Sequence, residues 1–541
     1  LTTFAGTLEA NSGINAAGPV KFQEDVVLAA GDTVTNLNGN VDLDGLTFSS
    51  ASNVSLGDNS SDVLTISTAN VLVKTPDASL NIPATTTIND GIDLTLGDGG
   101  ETTILVAGPI TGQSAGTVDS NLVVNTTGAA SFEGTIGAGS QIQNITLTQT
   151  GGSVFGSSVT SSGGTVLLSD TTGEIEFDGT LTAPTLTTAS EDYSLYLDGG
   201  SSISNEVTIL NTGALRLGDD TSDTNNFAGG LTATASTPVS TITQHGDLLS
   251  AGNISLDAST AVDMDGTLGS STAIAGDLII GTNTSTATLD FADSINVNGA
   301  ITINGSNILF NGSVSADSDS SGDEAITVNA VNQANSSLTL NNDIITNGGS
   351  ITLEANDDII FGESSDIASN NGIIIINADA DNTSAGSGGS LTMADGASIS
   401  GGSGTITLTA DENIVIGGLS STNTSVTAIS VTSGNGSIVD GGDSDVDITA
   451  STTGAVVVLS AKDTIGTVSG AAIFLDPEDT GYAGNPLETA LLSLSATTAS
   501  TGSEISIDNT SSSGLSLSSL QIGGASAAGS SWIRNTSDFD V

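Results

Sequence analysis

Two strings constrain the fold of this chain more than any other feature: GSITLEANDDIIFG at 349–362 and GTITLTADENIVIG at 404–417, which match position for position in residue type. In each, apolar or small residues take alternate places: Ile351, Leu353 and Ala355, then Ile359 and Phe361; Ile406, Leu408 and Ala410, then Ile414 and Ile416. A strand turns successive side chains to opposite faces, so even spacing puts each set on one face, with a polar turn between two strands. A looser copy, GNISLDASTAVDMDG, begins at Gly252, and AVVVLSAKDTI at 455–465 keeps Val457, Leu459, Ala461 and Ile465 on the same face. A unit this short cannot bury its apolar face alone and must stack on its neighbours, which defines a solenoid.

Strand starts at Ile351, Ile373, Leu391 and Ile406 are spaced 22, 18 and 15 residues apart. Coils of that length, stacked about 4.8 Å apart, predict on the order of 30 coils and an elongated rod of roughly 140 Å. The chain is therefore read as all-β, a single continuous parallel β-helix (β-solenoid) over residues 1–541. Gly/Ser-rich stretches at 112–117, 157–165 and 381–389 are expected to be loops that bulge from the coils.

Composition supports strands: 68 residues are Gly, 37% are hydrophobic and only 3% aromatic. Val, Ile and Thr suit a pleated strand, while the Lys, Arg, Glu and Gln that cover exposed helix faces are scarce. Residues 487–498 are the best helix candidate, and their Leu spacing suits a strand equally well. A string of β-sandwich modules would recur at about 100 residues and carry core Trp and Tyr. One Trp and three Tyr argue against it.

The formal net charge of −56 comes from 61 acidic residues against Lys21, Lys74, Arg216, Lys462 and Arg534. So few cations leave most carboxylates to water or metal ions and exclude nucleic acid and direct insertion into anionic membranes. The absence of Cys removes disulfides, thiolate chemistry and zinc–thiolate sites and leaves the compartment open. No apolar run approaches the roughly 20 residues of a membrane span. Because Leu1 is not an initiator Met, the chain is read as processed or truncated, with any signal peptide removed.

The copies at 252, 349 and 404, together with AKDTIGT (461–467), NPLETALLSLSA (485–496) and GSEISIDNTSSSGLSLSSL (502–520), resemble the repeats of filamentous haemagglutinin-like large exoproteins and autotransporter passengers. The resemblance covers about half the chain. It implies a right-handed parallel β-helix, secreted and held at the cell surface, acting in adhesion, biofilm or fibre formation.

Parallel β-helices also include polysaccharide hydrolases and lyases. Asp219 and Asp220 followed by His245 and Gly246 faintly resemble the Asp-Asp and His-Gly pairs of polygalacturonases, but no basic residue occurs between Arg216 and Lys462 to complete that pattern. The chain is read as not an enzyme, with a polysaccharide-binding or polysaccharide-cleaving β-helix as the alternative. In SADSDSSGDEA, Asp317, Asp319, Ser321, Asp323 and Glu324 are candidate calcium ligands: alternating oxygens suit a hard cation, and Gly322 permits the sharp turn. The competing reading is a solvated acidic loop. Open coil edges invite another chain, so residues 530–541, with Trp532, Ile533 and Phe539, are a candidate cap or docking segment. The expected partners are the chain itself, end to end, and glycans on host or neighbouring cells.

Overall fold

In the computed structural model, which describes residues 1–29, 34–113, 119–139, 142–234, 239–270, 272–282, 288–317, 324–381, 389–425, 427–442, 445–467, 485–522, 530–536 and 539–540, every inward position read from the repeats is buried. Ile351, Leu353, Ala355, Ile359, Ile406, Leu408, Ile414 and Ile416 are all at 0% exposure, and Val457, Leu459, Ala461 and Ile465 do not exceed 3%. No helix occurs among the described residues. Their strands stack in parallel as a β-solenoid of about 20 turns. Residues 487–498, equally readable as helix, form the strands Leu487–Leu491 and Ser493–Thr498.

The chain divides into two units, Leu1–Ser259 and Thr260–Val541. In the first, Thr2–Phe4, Leu8–Ala10 and Asn15–Ala16 make one coil, and Val20–Phe22, Val26–Leu28 and Thr35–Leu37 lie on them, pairing Thr2 with Val20, Leu8 with Val26 and Asn15 with Asn36. In the second, Ile351–Ala355, Ile359–Phe361 and Asp366–Ala368 underlie Ile374–Ala378, Leu391–Met393 and Ser398–Ser400. Coils of both units are thus three-sided.

Three sides correct the expected coil length. Leu391 does not begin a coil, because it pairs with Ile359 on the second side. Along the first side Ile351 faces Ile374 and Ile374 faces Ile406, 23 and 32 residues on. A coil with three strands and three turns needs more residues than a strand, a turn and a strand, so about 20 turns replace the 30 expected. Within 157–165, read as a loop, Val159–Thr160 is a strand and Val159 is buried. It is too short to display an alternation. Residues 114–117 and 382–388 of the other two expected loops lie outside the described residues.

Parallel pairing in register places like on like. Phe132, Phe155 and Phe177 occupy equivalent places on three coils, with ring centroids 4.9 and 4.6 Å apart and planes within 6°. The spacing is that of the strands themselves. Gly281 shows why the turns are rich in glycine: its φ is +72°, and a Cβ there would stand 1.9 Å from the Asn304 carbonyl oxygen of the next coil.

Phe155→Ala removes the middle ring and opens a cavity between two others. It is expected to cost about 3–5 kcal/mol in denaturant unfolding followed by circular dichroism. Val154→Ala, at the neighbouring outward position that is 37% exposed, is expected to stay within about 0.5 kcal/mol of the parent.

Candidate functional site

Each strand that buries one row of side chains presents the other row to solvent. In the second unit the first side therefore carries outward columns as regular as its core. One runs through Ile279, Thr302, Thr327, Thr352 and Ile375, then Thr407, Ser430, Val458 and Ser495. Beside it run Asn304, Asn329, Glu354, Asn377, Thr409, Thr432, Ser460 and Thr497. Most of these residues are half-buried, and Ile375 is 40% exposed. Asn329 Nδ2 donates to Asn304 Oδ1 at 2.8 Å, so neighbouring amides order one another.

In these two columns Glu354 is the single ionisable residue, although the chain carries 61 acids. The result is a regular array of methyl, hydroxyl and amide groups, spaced about 4.8 Å between coils and about 6.7 Å along each strand. β-Branched side chains hold few rotamers. The array is thus held in few conformations, and its hydroxyl and amide groups can both donate and accept hydrogen bonds.

The residues singled out from the sequence fare differently. Asp319, Ser321 and Asp323 lie outside the described residues; Asp317 is buried, with a left-handed φ of 53°, and Glu324 is half-buried. Asp219 and Asp220 belong to a turn in which both their backbone N–H groups donate to Asp223 Oδ2, at 3.0 and 3.1 Å. His245 N donates to the Leu217 carbonyl on the neighbouring coil. Trp532 and Ile533 sit in Ser530–Asn535, opposite Ser506 and Ile507, and as consecutive strand residues they point to opposite faces. Phe539 starts a different strand, Phe539–Asp540, paired with Leu515. Among the described residues, Ser530–Asn535 has a partner strand on one side only.

The basic side chains reach across coils. Lys21 bridges to Asp42 and Asp44 at 2.7 and 3.1 Å, Lys74 to Asp98 at 2.9 Å, and Arg534 to Asp508, while Lys462 donates to Asn435 at 2.8 Å. Arg216 does most: it pairs with Asp198, reaches Glu176 at 3.2 Å and lies 4.0 Å over the Tyr196 ring. It so supplies the cation for a cluster of Glu176, Asp178 and Asp198. Burial, then the charge of Asp178, still pushes the Glu176 carboxyl up.

A second cluster, Asp440, Asp447 and Glu488, went unread in the sequence. Asp447 and Glu488 lie 41 residues apart, a distance that matches no short ligand motif; only the stacking of coils brings them together.

Comparison with family models, with curated proteins and with solved structures finds no match to this chain. The fold itself defines the class: a β-helix repeat protein.

Replacing Arg216 by Met leaves Asp198, whose side chain is 5% exposed, beside Glu176 with no guanidinium. The expected loss in unfolding free energy is about 1–3 kcal/mol, below that of a fully buried pair because solvent screens the outer face of Arg216. Lys74→Met, at a more exposed pair, is expected to cost less than about 1 kcal/mol in the same denaturation assay.

Proposed function

We propose that this protein is an extracellular structural and adhesive surface protein that holds neutral glycans of neighbouring cells or of a host against its uncharged face and takes no part in catalysis. The outward columns through Thr302 and Asn329 carry this reading: a face nearly free of charge, on a chain of net charge −56, is where an extended neutral polymer can approach without desolvating carboxylates. The likeness of the repeats at 252, 349 and 404 to filamentous haemagglutinin-like exoproteins agrees with secretion and with a role at the cell surface. Self-association of copies end to end into a filament is part of the same proposal, because parallel coils pair edge to edge and one copy's coil can stack on another's.

Binding to surfaces coated with neutral polysaccharide, followed by mass-sensitive adsorption, tests the reading. The double substitution Thr327→Glu with Thr407→Glu is expected to reduce adsorption at least tenfold while the β-sheet circular dichroism stays unchanged. Unchanged adsorption would sink the assignment of this face. Release of new reducing ends in the same incubation would favour polysaccharide cleavage over adhesion.

A further inference from the structure

Asp440 ends the strand Ile438–Asp440, and Asp447 immediately precedes Ile448–Ala450 on the next side of the coil. Pairing of Ile448 with Thr489 sets Glu488, in Leu487–Leu491, opposite Asp447 on the adjoining coil. Two hydrogen bonds, one backbone and one to a side chain, hold that register: Asp447 N donates to the Glu488 carbonyl at 2.9 Å, and Glu488 N donates to Asp447 Oδ2 at 2.8 Å. One carboxylate oxygen from each of the three residues then lies within 4.8 Å of the other two.

Burial sets this cluster apart from an ordinary acidic patch. Asp440 is only 7% exposed and Asp447 2%. Asp440 Oδ1 accepts from Gly442 N at 2.8 Å, but its Oδ2 is buried without a hydrogen-bond partner, and so is Glu488 Oε2. Leaving anionic oxygens in that state is costly, because neither water nor a donor replaces their lost hydration. Burial, and after it the charge of Asp440, pushes the Glu488 carboxyl up to about 7. The nearest coil's cation is already committed: Arg534 is bonded to Asp508, which stands opposite Glu488 one coil further on.

We propose that Asp440, Asp447 and Glu488 bind one calcium ion, which ties adjoining coils of the second unit together. Calcium takes six to eight oxygen ligands at about 2.3–2.6 Å in flexible geometry, and three carboxylate oxygens that all lie within 4.8 Å of one another are close enough to converge on one such ion. Magnesium, at about 2.0–2.1 Å, demands near-octahedral geometry and gives up its waters reluctantly, so a cluster of protein carboxylates suits calcium better. Asp447 also lines a solvent-open cavity of about 180 Å³ with Asp395, Ser398 and Asp445, which gives the cluster a route to solvent on that side.

The test uses the full chain stripped with chelator and titrated with calcium chloride alone, read by calorimetry and by thermal unfolding. Binding heat and a rise in Tm are expected. Asp440→Asn and Glu488→Gln are each expected to weaken calcium binding at least tenfold and to abolish the rise in Tm. In chelator both variants are expected to unfold at the same temperature as the parent or higher, because like-charge repulsion is relieved; this separates a lost site from a damaged fold. Asp317→Asn is expected to keep the full response. The proposal is overturned if the parent gives neither heat nor a rise in Tm at millimolar calcium. It is overturned equally if the two variants respond as the parent does, which puts the ion elsewhere, or if magnesium chloride at the same concentration matches calcium.

Discussion

Everything in this structure depends on parallel pairing in register. When Ile351 faces Ile374 and Ile374 faces Ile406, the same side chain meets itself on every coil, and each coil completes both the hydrogen bonds and the apolar contacts of the one before. No coil has a core of its own. The stability of either unit is then a sum of neighbour terms, approximately one-dimensional, and local damage is felt mainly by adjacent coils.

Like on like works well inside and creates difficulty outside. Stacked Phe rings and columns of Ile and Leu gain contact at a spacing of about 4.8 Å, whereas stacked carboxylates repel. The chain resolves the conflict in three ways. Lys21, Lys74, Arg216 and Arg534 bridge acids on neighbouring coils. Asn and Ser side chains hydrogen-bond along the stack, as Asn329 does to Asn304. Along the first side of the second unit charge is almost absent, and what remains is a face that water wets but does not hold tightly.

How much of this was legible in the residues depends on the range of the interaction. Alternation at Ile351, Leu353 and Ala355 is local and survives in a few letters, so the buried face could be read directly. The count of coils could not, since Leu391 looks like any other strand start until its partner is known to be Ile359 rather than Ile374. Val159–Thr160 is a strand two residues long, held by bonds to other coils and invisible to any periodic pattern.

The amino-acid sequence by itself determined that the chain is all-β, that its apolar rows face inward, that coils repeat and stack, and that its surface is acidic with few cations. Those properties follow from period-two patterning and composition, which act over a handful of residues. Tertiary structure alone decided that a coil has three sides, which outward columns escape charge, and that Asp440, Asp447 and Glu488 meet. The reason is geometric: register between coils is set by the lengths of intervening turns, and paired residues on neighbouring coils lie from 18 positions apart in the chain, as Thr2 and Val20 do, to 41, as Ile448 and Thr489 do.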